Sequence, residues 1–189
     1  EKLKPIRVES GRKASDPLND SEKTQMKSVA GSLQWISRQA RPELSYRTSK
    51  IQQMAANGTV ADIKYANKVV RYAMSTADRG LTFKPGMVDW DSMCSVVVTD
   101  ASHANEVALD ESPKGELKEE PHRSQGGRIQ MLSSNEAVRG GKITGHAIGF
   151  SSTTIKRVCR ATVQAEAYGL SYGVEAVSYT HLTLPTNRC

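Results

Sequence analysis

The run Met93-Cys94-Ser95-Val96-Val97-Val98-Thr99-Asp100-Ala101-Ser102 constrains this chain more than any other stretch. Three consecutive valines with no helical period suit a strand covered on both faces, because branched side chains pack well on a pleated surface. Asp100 stands where such a strand leaves its sheet, and in open α/β sheets ligands are met at strand ends. A carboxylate there is a candidate for metal or substrate chemistry. It is as readily a turn former, since Asp bonds to its own following backbone. The residue that bears on this choice lies far downstream, at Glu166.

The chain has 189 residues, enough for one domain or one domain and part of another. Its formal net charge of +6 favours an anionic partner such as nucleic acid, without requiring one. Cys94, Cys159 and Cys189 are odd in number and widely separated, so neither a disulfide framework nor a zinc site is indicated and a reducing compartment is expected. No apolar run approaches the ~20 residues of a membrane span, and the charged N-terminus lacks a signal-peptide core. The expectation is a soluble, intracellular protein with no membrane partner.

Residues 1–21 mix Lys2, Lys4, Arg7, Arg12 and Lys13 with Pro5, Gly11 and Pro17, and read as a basic arm or loop. From about Thr24, Met26, Val29, Ala30, Leu33 and Ile36 recur at helical spacing, with Asn19, Asp20 and Ser21 as upstream caps. Pro42 ends one helix and opens a second, whose buried face is Leu44, Ile51, Met54 and Ala55. Asn57-Gly58 is expected to close it with a left-handed cap, and Thr59 with Asp62 to open a third helix through a capping box. Ile63, Ala66, Val70 and Ala73 form its apolar stripe. Lys64, Lys68 and Arg71 fall on one flank, where they could follow a phosphate backbone or simply meet solvent. Gly80 ends that helix, Leu81-Thr82-Phe83 reads as a short strand, and a boundary falls near residue 85.

The polar insert 105–122 is too poor in apolar residues to order itself and is expected to be mobile. Residues 127–133 and 142–150 read as antiparallel strands around a Gly140-Gly141 turn. Val163, Ala167, Leu170, Val174 and Val177 then mark a helix and its core-facing stripe, with Glu166 beside it and turned toward the sheet. A strand Asp and a helix Glu of this kind describe a carboxylate pair suited to a hard cation such as Mg²⁺, although a Glu at a helix edge is commonly solvated. His103 follows Asp100 closely but is expected to be a bystander. His146 is expected to be packed or exposed, and Trp35 and Trp90 to be core residues.

Several motifs in fixed order carry a resemblance. They are Val29-Ala30-Gly31-Ser32-Leu33-Gln34-Trp35, Arg41-Pro42-Glu43-Leu44-Ser45-Tyr46 and Asn67-Lys68-Val69-Val70-Arg71-Tyr72-Ala73, followed by Thr99-Asp100-Ala101-Ser102, His122-Arg123-Ser124-Gln125-Gly126-Gly127 and Gln164-Ala165-Glu166-Ala167-Tyr168-Gly169-Leu170. Over residues 22–177 they resemble copia-type LTR retrotransposon polyproteins, from the helical connection region behind the reverse transcriptase palm into the ribonuclease H domain. The resemblance implies an α/β fold: a basic arm or loop at 1–21, a helical connection segment at 22–84, and a partial ribonuclease H-like mixed sheet with a packed helix at 85–177.

It also implies hydrolysis of RNA in RNA–DNA hybrids with Mg²⁺, or Mn²⁺ in its place, and Asp100 and Glu166 as catalytic and metal-binding carboxylates about 8 Å apart or less. Lys64, Lys68 and Arg71 become contacts to the hybrid. The remaining polyprotein is a further partner, in a cytoplasmic particle or the nucleus. Gln164 replaces one Glu of the family's motif, and neither the polymerase's paired aspartates nor the later D-N-x-[SG] aspartate is present, so this chain is expected to be inactive. Residues 178–189 resemble translated adaptor sequence and are expected to continue no element of the domain.

Overall fold

The computed structural model describes residues 3–106, 109–111, 117–119, 123–135 and 143–183. The fold is mixed α/β, with helices first, then an antiparallel sheet, then a C-terminal helix. The chain divides into two compact units, Glu1–Leu81 and Thr82–Cys189.

In the first unit, α1 (Asp20–Gln39) begins under a reciprocal cap. Asn19 Oδ1 accepts from the Glu22 N–H at 2.8 Å, and Glu22 Oε2 accepts from the Asn19 N–H at 2.9 Å. That cap starts the helix ahead of Thr24, where the apolar spacing becomes visible. Pro42 opens a 3₁₀ turn, Pro42–Leu44, which runs into α2 (Ser45–Met54). The third helix, α3 (Val60–Ser75), is opened by Asp62, whose Oδ2 accepts from the Thr59 N–H at 2.7 Å. Gly58 is not left-handed; glycine is needed there because a Cβ would collide with the Met54 carbonyl oxygen. No strand forms over residues 81–83, since α3 already ends at Ser75 and the chain leaves it as an irregular segment.

Met26, Leu33, Leu44, Ile51, Ile63 and Val70 are fully buried in one core. The opening basic segment is irregular as expected, yet it is anchored rather than free. Ile6 and Leu18 are buried in that core, and the Asn67 side chain accepts from the Ile6 N–H at 2.7 Å and donates to the Ile6 carbonyl at 2.9 Å. Arg12 pairs with Asp16 and Glu22. Arg41, also buried, bonds Glu43 at 2.6 Å and donates to the Thr76 carbonyl at 2.8 Å, tying the α1–α2 junction to the end of α3.

In the second unit, β1 (Met93–Glu106), β4 (Arg123–Ser134) and β5 (Gly145–Thr154) form an antiparallel sheet in the order β1-β4-β5. Two short strands, β2 (Leu109–Glu111) and β3 (Leu117–Glu119), pair with each other inside the insert expected to be structureless. The other insert residues and the Gly140-Gly141 turn lie outside the described residues. All described strand pairs are antiparallel, where a mixed sheet was expected.

The last helix, α4 (Thr162–Thr183), packs on β1 and β4. It does so on a face other than the expected one. Ala165, Gly169 and Gly173 are buried, whereas Val163 is 79 %, Leu170 59 % and Val174 58 % exposed. The small residues win because they let the helix backbone come close to the strand: a Cβ built on Gly169 would lie 3.8 Å from Ala101 Cβ, and one on Gly173 only 2.7 Å from Thr99 Cγ2. The helix continues through residues 178–183, so that part of the supposed tail does extend an element; residues 184–189 lie outside the described residues.

Candidate functional site

Asp100 does not end its strand. It lies inside β1, opposite Gly127 of β4, with Ser152 of β5 beyond. An acid inside an antiparallel strand is tolerated when alternation turns it to solvent, and Asp100 is exposed. The alternation can be read from contacts. Val97, Thr99 and Ala101 face α4, and Arg128, paired with Thr99, reaches the Tyr172 carbonyl of that helix at 2.8 Å. Asp100 therefore shares the opposite face with Val96, Val98, Ile129 and Phe150. Val98 and Ile129 are more than 40 % exposed there.

Glu166 is half-buried on the flank of α4, one position after the fully buried Ala165. Its orientation comes from the small-residue face, not from Val163 and Leu170 as the periodicity implied. A Cβ on Gly169 would lie 3.9 Å from the Asp100 carbonyl oxygen, and Glu166 precedes Gly169 by three residues, about 4.5 Å along the helix. The two backbones are thus brought together. The two carboxylates leave on different sides: Asp100 on the face away from α4, Glu166 beside the helix. The direct route between them runs around the outer edge of β1, which no described strand pairs.

These residues do not fit a two-ion centre. Such a centre needs carboxylates shared between both cations, and among the described residues no group of three or more His, Cys, Asp or Glu could hold a metal. His103 has its Nε2 3.0 Å from the carbonyl of Cys159, in the segment that leads into α4. His146 is half-buried, packed 5.1 Å from the Phe83 ring.

Near Asp100 the open face ends in a polar group that sequence reasoning passed over. Gln125 donates to the Ser152 hydroxyl at 2.8 Å and accepts from the Thr154 hydroxyl at 3.1 Å. No signal in the sequence marks it, because placing Gln125 on the face of Asp100 needs the pairing register of β1, β4 and β5. Ser124, from the same motif, accepts from the Ala104 N–H at 3.2 Å. That bond holds β1 where its register shifts and Ala104 adopts a left-handed φ of 52°.

In the first unit Lys64, Lys68 and Arg71 are exposed along α3, as their spacing predicts. Trp35 and Trp90, expected in cores, are 57 % and 69 % exposed, because each is isolated from the apolar stripe of its region. No helix among the described residues is long and apolar enough to cross a membrane. Comparison with protein-family models, curated proteins and solved structures returned no match.

Proposed function

We propose that this chain is a fragment of a copia-type LTR retrotransposon polyprotein, joining a reverse transcriptase connection region to a partial ribonuclease H domain. As it stands, it binds RNA–DNA hybrid without cutting it. One observation carries the reading most: α4 returns over β1 so that Gly169, about one helical turn after Glu166 in the one motif, meets the backbone of Asp100 in the other. In the intact family two Mg²⁺ ions, or Mn²⁺ in their place, would activate water and stabilise the leaving oxygen. This chain supplies two of the acids for that centre, on different sides of an edge strand, and that set can hold a cation only weakly. The rest of the polyprotein is its natural partner, in a cytoplasmic particle or the nucleus.

A second reading, a protein-interaction module, draws on the exposed Trp35 of α1 and the exposed apolar face of α4. Binding measurements separate the two. A phosphate-led interface makes log K fall with log salt by about 0.9 per contacted phosphate. Neutralising Lys64, Lys68 and Arg71 to Gln should therefore flatten the salt slope for labelled hybrid by about three units. An unchanged slope would remove the nucleic-acid reading and leave the interaction module.

A further inference from the structure

The basic row of α3 has a neighbour of a different kind. Tyr72 follows Arg71, lies one turn beyond Lys68, and is half-buried against the core of the first unit. Arg47 of α2 sets its guanidinium carbon 4.9 Å from the centre of the Tyr72 ring. From beyond the end of α3, Arg79 donates through Nη1 to the Tyr72 hydroxyl at 3.2 Å. Two exposed arginines from different elements are thus held to one aromatic post.

None of Arg47, Arg79, Lys64, Lys68 and Arg71 takes part in an ion pair among the described residues. Asp78 adjoins Arg79 in sequence without pairing with it, and Glu43 is engaged by Arg41. Like charges gathered without ion-pair partners repel one another, and an external polyanion relieves that repulsion. An arginine stacked on a ring keeps its N–H edges free for a phosphate while losing little freedom on binding. Because Arg47 covers the ring, Tyr72 does not offer that face to a base, which favours backbone contact over base stacking.

Resting on the nucleic-acid reading above, we infer that Arg47 and Arg79, ordered by Tyr72, form a phosphate clamp that carries a duplex backbone from the α3 row onto α2. From Lys64 to Arg71 the helix rises about 10 Å, which matches roughly three nucleotides of one strand. The clamp lengthens the footprint beyond that row. Tyr72 is a positioning residue, and the recognised chemistry is successive phosphodiesters without regard to sequence.

The test uses the whole 189-residue chain and a labelled RNA–DNA hybrid titrated between 50 and 200 mM salt, with thermal melts to check that each variant folds. Replacing Arg47 and Arg79 together by Gln should lower the salt slope by about two units and weaken binding equally for hybrids of unrelated sequence. Tyr72→Phe, which keeps the ring and removes the hydroxyl, should lower it by no more than about one unit, because only Arg79 is released. If the Arg47/Arg79 variant keeps the parent slope while the Lys64/Lys68/Arg71 variant loses its three units, the clamp is wrong and the nucleic-acid reading survives. If neither variant changes the slope, both fall.

Discussion

Asn67→Leu should destabilise the first unit by about 2–4 kcal/mol, since it leaves the Ile6 N–H and C=O without partners and each orphaned backbone group costs about 1–3 kcal/mol. Helix propensity works the other way, favouring Leu over Asn by only a few tenths of a kcal/mol, so the lost bonds decide the sign. For a unit of this size the loss corresponds to a fall in Tm of the order of 10–30 °C. The segment around Lys4 and Arg7 should become sensitive to trypsin under native conditions, since Asn67 is what fastens it. Asn67→Asp is the informative companion: it keeps an acceptor for the Ile6 N–H but sets a carboxylate against the Ile6 carbonyl, and should fall between parent and Leu variant. A Leu variant that melts with the parent and resists trypsin would show that the apolar contacts of Ile6 and Leu18 suffice.

Gly173→Val should lift α4 from the sheet and lower the stability of the second unit by about 3 kcal/mol, at the upper end of overpacking costs. Its Cβ would sit 2.7 Å from Thr99 Cγ2 and 3.0 Å from Val97 Cγ1, and both neighbours are β-branched side chains that cannot swing away. Gly169→Ala should have the opposite sign. Its Cβ meets Ala101 Cβ at an ordinary 3.8 Å, so the helix gains up to about 1 kcal/mol of propensity. Denaturant titrations of the two variants measure the contrast directly. Equal effects would mean that α4 does not rest on its small-residue face.

That face explains which parts of the architecture were legible from residues alone. The order of helices, sheet and final helix followed from apolar periods and turn residues; the capping box at Thr59 stood where expected, while at the first helix three candidate caps were offered and Asn19 proved to be the one, in a box with Glu22. Periodicity points to the wrong face of α4 because it weighs large side chains: Val163, Leu170 and Val174 form the more visible stripe, while Ala165, Gly169 and Gly173, which allow close approach, carry little signal. The sequence marks Asp100 as a strand end because Asp is a common turn former, but strand length is decided by the partner, and β4 continues alongside to Gln125 and Arg123. Sheet-face membership follows from register, which no local spacing encodes. The exposed basic row on α3 was legible because it needs only the helical period, whereas the clamp around Tyr72 joins α2 to residues beyond α3 and could not be read along the chain.

On the function proposed above, the chain holds two acids of a ribonuclease H centre, Asp100 and Glu166, without being able to use them. Cleavage of an end-labelled RNA–DNA hybrid, in Mg²⁺ and in Mn²⁺, tests it most directly when three proteins are compared: the present chain, a version continued through the family's later aspartate element, and that version with Asp100→Asn. The first should bind without cleaving, the second should cleave, and the third should lose at least about two orders of magnitude in rate, as removal of a charge-stabilising group in an active site typically costs. Turnover by the present chain that vanishes with Asp100→Asn, or a continued version that never cleaves, would contradict it.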